Sequence, residues 1–118
     1  MLIEPDAELA SMVERFLGKA DFEVSVARDS LLGLKLASDI KPHLALIDIS
    51  MDSRPEGGVL TGKSFKQDKR LKKIPLVLMV PENLEEKDPT QIETLHKIFD
   101  GFLYKPFADT ELKRVVEN

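Results

Sequence analysis

The stretch HLALIDI (43–49) decides the fold. It is apolar almost throughout, too short to cross a membrane, and interrupted near its end by one carboxylate, Asp48. A short continuous apolar run reads as a strand buried on both faces, because a sheet with one face in solvent would alternate apolar with polar residues. FEVSVA (22–27) and IPLVLMV (74–80) repeat the pattern, with MLI (1–3) and GFLY (101–104) as shorter candidates. A sheet covered on both faces needs helices to cover it.

Helical patterns fill the gaps between these runs. Leu9, Met12, Val13, Phe16 and Leu17 recur at the spacing of one buried helix face, and Asp6 is placed to cap that helix. Leu32, Gly33, Leu36, Ala37 and Ile40 predict a second helix, opened by Asp29 or Ser30. A third is predicted over about Gly58 to Gln67. Asp88-Pro89 has the form of a cap followed by proline at the first helical position, introducing Ile92, Leu95, Ile98 and Phe99. A last helix follows Asp109 and presents Leu112, Val115 and Val116. Strand and helix alternate five times in 118 residues. The expectation is therefore one α/β domain over 1–118, a flavodoxin-like (βα)5 fold with a five-stranded parallel sheet in the order 2-1-3-4-5.

Composition narrows the function. With 42% hydrophobic and 32% charged residues, the chain has a globular balance. A net charge of −4 argues against nucleic-acid binding as the main activity. The absence of cysteine excludes disulfides, thiol catalysis and zinc–thiolate sites. No apolar stretch approaches the roughly 20 residues of a membrane helix, and MLIEPD is not a signal sequence, so a cytoplasmic protein without membrane contact is expected.

In open α/β sheets the functional site lies at the carboxyl ends of the strands. There the chain places Glu4 after strand 1, Asp48 in strand 3, Val80-Pro81 after strand 4 and Lys105-Pro106 after strand 5. Clustered carboxylates bind a hard cation such as Mg²⁺. A carboxylate can also accept a phosphoryl group, with metal and ammonium neutralising the charge in transit.

Over essentially its whole length the chain resembles the receiver domain of two-component response regulators. The resemblance is carried by KPHLALIDIS, KKIPLVLMV and DGFLYKPFADTEL, and most specifically by the KPF tripeptide with Asp48 lying 57 residues (105 − 48) before its lysine. It implies that Asp48 accepts a phosphoryl group from a histidine kinase or phosphotransfer protein, and that the module signals rather than catalyses turnover. Glu4, Asp48 and the backbone carbonyl of Ser50 would hold Mg²⁺, and Lys105 would contact the phosphoryl oxygens. The Lys105–Pro106 bond would be cis. Phe102 would be the aromatic switch residue, and helix 4, strand 5 and helix 5 would form a homodimer face.

Two positions depart from the family pattern. Pro5 replaces a second acid, so Mg²⁺ is expected to bind weakly; Asp6 is adjacent, but capping the first helix is its expected role. Val80 replaces the hydroxyl residue that couples the acceptor to its loop. The alternative is a pseudo-receiver, a protein-interaction domain that works without phosphorylation.

GGVLTGKS (57–64) matches the phosphate-binding Gly-x-x-x-x-Gly-Lys-Ser pattern. A working loop of that kind sits between a strand and the helix that opens at Lys-Ser. Here SMDSRPE intervenes and the aspartate strand comes first, so a turn and a solvated helix face are expected instead. KSFKQDKRLKK (63–73), with six Lys or Arg and one Asp, reads as a solvated helix end and loop. His43 and His96 lack metal-ligand spacing and receive no role. Met12, Met51 and Met79 are expected to be packing residues.

Overall fold

The structure, a computed structural model, describes residues 1–81 and 89–117, with backbone alone at 89–92. Its elements are β1 (Leu2–Ile3), α1 (Ala7–Lys19), β2 (Val26–Ala27), α2 (Ser30–Ile40), β3 (Ala45–Asp48), α3 (Gly57–Gln67), β4 (Leu76–Pro81), α4 (Pro89–Ile98), β5 (Gly101–Lys105) and α5 (Asp109–Glu117), with a 3-10 turn at Met51–Ser53. All strand pairs are parallel and the order is β2-β1-β3-β4-β5. This is the flavodoxin-like arrangement expected from the alternation of strands and helices.

Successive apolar strand residues alternate between two helical layers. Ile3, Ile47, Leu78 and Val80 join Ala37, Phe65, Ile98 and Phe99 in the layer under α2, α3 and α4. Leu2, Leu46, Met79 and Leu103 join Ala10, Val13, Leu17 and Leu112 under α1 and α5. Burial on both faces explains the unbroken apolar runs of β3 and β4. At the sheet edge β2 keeps only Val26 and Ala27 of FEVSVA, and residues 22–25 are at most half-buried.

The helix caps are local chemistry. Asp6 Oδ1 accepts from the Glu8 and Leu9 amides at 2.9 and 3.3 Å, and Asp29 Oδ1 accepts from Leu32 at 2.8 Å, which makes Asp29 the opening residue of α2. The cap expected at Asp88 falls outside the described residues, as does the side chain of Ile92. Two helix faces are narrower than their apolar patterns. α1 buries Ala10, Val13 and Leu17 and half-buries Leu9 and Phe16, while Met12 is 46% exposed. Met12 is thus not a packing residue as expected, whereas Met51 and Met79 are fully buried. α2 buries Gly33 and Ala37 and leaves Leu32 and Ile40 exposed. A helix lying on a sheet hides only one stripe, and residues on its margins stay in solvent however apolar they are.

The glycines of GGVLTGKS are packing residues. Gly57 and Gly62 both lie inside α3, not in a loop before it. A Cβ at Gly58 would come within 2.1 Å of the Asp48 carbonyl oxygen, and one at Gly62 within 2.5 Å of the Phe99 ring. The amides of Gly57, Gly58, Val59 and Leu60 already donate to the carbonyls of Arg54, Ile49 and Glu56. No cradle of free N–H groups is left for a phosphate, and Lys63 stands exposed on the helix. In the basic run that follows, Phe65, Leu71 and Ile74 are buried, while Lys63, Lys69, Arg70, Lys72 and Lys73 are solvated.

Candidate functional site

The two-residue period of the strands assembles the site. Leu2, Leu46 and Leu103 pack in the α1–α5 layer. Two residues further along each chain come Glu4, Asp48 and Lys105, on the same face and just past the last core side chain. Glu4 stays in register because its N–H donates to the Ala27 carbonyl at 3.0 Å. Lys105 Nζ then lies between two carboxylates, 2.5 Å from Asp48 Oδ1 and 2.9 Å from Glu4 Oε1. Glu4 and Asp48 are only 1% and 2% exposed.

Each carboxylate has a second anchor. Glu4 Oε2 accepts from the Asp6 amide at 3.1 Å. Asp48 Oδ2 accepts from the Ser50 amide at 3.1 Å and from the Ser50 hydroxyl at 2.5 Å. Burial pushes the Glu4 carboxyl above its ordinary value, against the opposing pull of the Lys105 and Asp6 hydrogen bonds. Burial also works against the Lys105 ammonium, but the hydrogen bonds to Asp48 and Glu4 outweigh it and hold the lysine above its usual range. The site is a cationic bridge over two desolvated anions.

Around Asp48 opens a cleft of about 660 Å³. Asp6, Asp48, Ser50 and Lys105 give it a polar side, and Leu9, Met12, Pro55, Pro81 and Phe107 an apolar one. Exposed Met12 belongs to this rim. The Lys105–Pro106 peptide bond is cis.

Val80 and Phe102 sit apart from the charged cluster. Val80 is fully buried in the α2–α3–α4 layer, where Phe102 also packs, half-buried. From the end of β4 it is Pro81, paired in register with Lys105, that lines the cleft. The Phe102 ring makes an edge contact with His96, centroids 4.9 Å apart, and a tilted one with Phe99 at 6.4 Å.

Several contacts have no signature in the sequence. Arg28 donates to the Pro5 carbonyl through Nε at 2.9 Å and again through Nη2. Asp52, with a left-handed φ of 57°, accepts from the Ser30 amide at 3.2 Å and so ties the β3–α3 segment to the start of α2. The Ser50 side chain on Asp48 adds to the backbone role expected of that residue. All three join residues that are non-adjacent or conformationally unusual, and no periodicity reports them.

The donors fit Mg²⁺ as a minimal set. Two buried carboxylates, Glu4 and Asp48, suit a hard cation that keeps several waters. Among the described residues no cluster of three or more acidic, histidine or cysteine side chains offers a stronger site. Asp6 Oδ1 is engaged in its cap, the Pro5 carbonyl is engaged by Arg28, and Lys105 already bridges the carboxylates.

The family model for the response regulator receiver domain matches residues 1–117. The chain belongs to that family, a family of signalling domains in two-component systems. It is 31% identical over 118 residues to a probable transcriptional regulator, ycf29, of Pyropia yezoensis, covering all of this chain and 51% of the relative. It is also 31% identical over 112 residues to the transcriptional regulatory protein CpxR of Escherichia coli K12, covering 95% of this chain and 44% of that one. The chain thus spans about half the length of these relatives. Among solved structures, a putative response regulator from Chloroflexus aurantiacus superposes with a TM-score of 0.85 at 22% identity, covering 99% of this chain and 92% of that one. The receiver domain of NtrX from Brucella abortus gives 0.84 at 21% identity, covering 98% and 92%. Receiver domains as a family bind Mg²⁺ at the phosphorylation site and interact with histidine kinases or phosphotransfer proteins. No helix among the described residues is long and apolar enough to cross a membrane.

Proposed function

We propose that this receiver domain accepts a phosphoryl group on Asp48 from a histidine kinase or phosphotransfer protein. The observation that carries the reading is the Lys105 ammonium held between two buried carboxylates, one of them lining a cleft. An Asp48 carboxylate oxygen attacks phosphorus, the bond from phosphorus to the donor breaks, and the donor leaves with the bonding electrons. Lys105 follows the charge, exchanging part of its contact with the carboxylate for the new phosphoryl oxygens. Ser50 holds the other carboxylate oxygen and keeps the nucleophile aimed. Bound Mg²⁺ would supply further neutralisation of the phosphoryl charge, on Glu4, Asp48 and the Ser50 carbonyl. With Pro5 in place of an acid, its affinity is expected to be low.

A second reading is favoured by a different observation. Val80 offers no hydroxyl at the end of β4 and is buried away from the cleft, so the acceptor lacks its usual link to Phe102. On that reading the chain is a pseudo-receiver that binds a partner constitutively. A homodimer through α4, β5 and α5, a cytoplasmic location and an output shared with the transcriptional regulators it resembles belong to the proposal as well.

Intact mass after incubation with Mg²⁺ and acetyl phosphate separates the two readings. Gain of one phosphoryl group, absent in Asp48→Asn, is the expected result. Folded protein that gains none would overturn the acceptor role and leave the pseudo-receiver.

A further inference from the structure

The Pro5–Asp6 peptide stands where the family pattern has its second acid, and it is gripped at both ends. Its carbonyl oxygen accepts two hydrogen bonds from Arg28, the Nε bond at 2.9 Å. Its N–H donates to Glu4 Oε2 at 3.1 Å. The other Glu4 oxygen accepts from Lys105 at 2.9 Å, and Lys105 donates on to Asp48 at 2.5 Å. Arg28 therefore begins an unbroken hydrogen-bonded chain that ends on Asp48.

We propose that Arg28 is a positioning residue of the acceptor site, fixing and polarising the Pro5–Asp6 peptide so that Glu4 keeps one orientation. The inference rests on Asp48 being the acceptor. A cation on the carbonyl of a peptide makes its N–H a better donor, and a carboxylate on the N–H makes its carbonyl a better acceptor, so the two grips reinforce each other. The need for the device follows from Pro5. Proline supplies no acid, which leaves Glu4, just past the end of β1, as the buried carboxylate there that can face a cation. A glutamate has three rotatable bonds, and a lone ligand that wanders holds a metal poorly. Arg28 is exposed and forms no ion pair among the described residues; it donates to this carbonyl. The guanidinium fork places two donors on one oxygen, which a lysine cannot do.

The test uses Arg28→Gln and Arg28→Lys in the full chain, each alone and combined with Glu4→Gln. Two readouts are taken. One is the Mg²⁺ dependence of Asp48 phosphorylation by acetyl phosphate; the other is the Asp6 amide resonance in metal-free protein. Arg28→Gln should raise the half-maximal Mg²⁺ concentration on the order of tenfold while the limiting rate at saturating Mg²⁺ changes by less than about twofold. Arg28→Lys should recover part of that loss. In the Glu4→Gln background the Arg28→Gln effect should shrink to less than about twofold, because the residue it acts through is gone. The Asp6 amide proton should move upfield in Arg28→Gln as its hydrogen bond weakens. A Mg²⁺ curve that superimposes on wild type, or a tenfold effect that persists in the Glu4→Gln background, would overturn the inference. If wild-type protein takes up no phosphoryl group, the acceptor role fails, and the Asp6 amide then decides Arg28. An upfield shift supports its grip on the peptide; an unmoved resonance overturns it.

Discussion

Replacing Lys105 with methionine keeps the stem of the side chain and deletes its charge. Glu4 and Asp48, 1% and 2% exposed, are then left side by side with no cation between them. Breaking a buried ion pair by removing one partner costs on the order of 3–5 kcal/mol when nothing relieves the orphaned charge. Here protonation of one carboxylate can relieve it. From an ordinary glutamate value of 4.5, protonation at pH 7 spans 2.5 pH units, or about 3.4 kcal/mol at 1.36 kcal/mol per unit. Burial already pushes Glu4 upward, so the true cost lies below that ceiling. The carboxylates also keep their bonds to the Asp6 and Ser50 amides. The expected loss in metal-free protein at pH 7 is therefore about 2–3 kcal/mol. The sign of its pH dependence follows from linkage. A folded-state carboxyl with a raised value binds more protons than the unfolded chain does, so the variant recovers stability relative to wild type as pH falls toward 4.5. In wild type the Lys105 contribution is complete at neutral pH and is lost only as pH rises through a value above 10.5. Urea unfolding followed by far-UV circular dichroism, at pH 7 and pH 5 in a chelating buffer, measures both. A Lys105→Met protein as stable as wild type at pH 7, or a loss that is the same at both pH values, would refute the buried-bridge account.

Three further outcomes follow from individual contacts. Gly58→Ala places a Cβ 2.1 Å from the Asp48 carbonyl oxygen and 2.6 Å from the Ile49 Cα, and backbone cannot yield cheaply; a loss of about 1–3 kcal/mol, with shifted Asp48 and Ile49 amide resonances, is expected from urea melts and NMR. Val80→Thr buries a hydroxyl in an apolar layer and should cost about 1–3 kcal/mol before phosphorylation, yet produce a phosphorylation-dependent change in the Phe102 and His96 ring resonances that the parent lacks; a parent that already shows it would rule out Val80 as the missing link. Asp6→Ala removes the α1 cap and should lower stability by about 1 kcal/mol while leaving half-maximal Mg²⁺ within about twofold; a larger rise would make Asp6 a metal ligand.

The sequence alone determined the layer order, because burial on both faces and the alternation of periods two and 3.6 are written into every run of apolar residues. It also determined that Glu4, Asp48 and Lys105 end strands, which is enough to bring them to one edge of a parallel sheet. Tertiary structure decided what those side chains do to one another. That the bridging ammonium sits over two buried anions depends on the register linking β1, β3 and β5, and that register is set by the successive pairings of β1 with β3, β3 with β4 and β4 with β5, which together bring Glu4 to Lys105. The same holds for the failed expectations. Met12 and Leu32 have the spacing of core residues but lie on the margins of their helices, where solvent begins. The turn expected at Gly57-Gly58 is instead the first turn of α3, where Gly58 answers to the Asp48 carbonyl and Gly62, further along, to the Phe99 ring, neighbours that only folding supplies. Arg28 shows the limit most plainly: an arginine after a short edge strand has no periodicity, and its partner is a backbone oxygen, which every residue in the chain possesses.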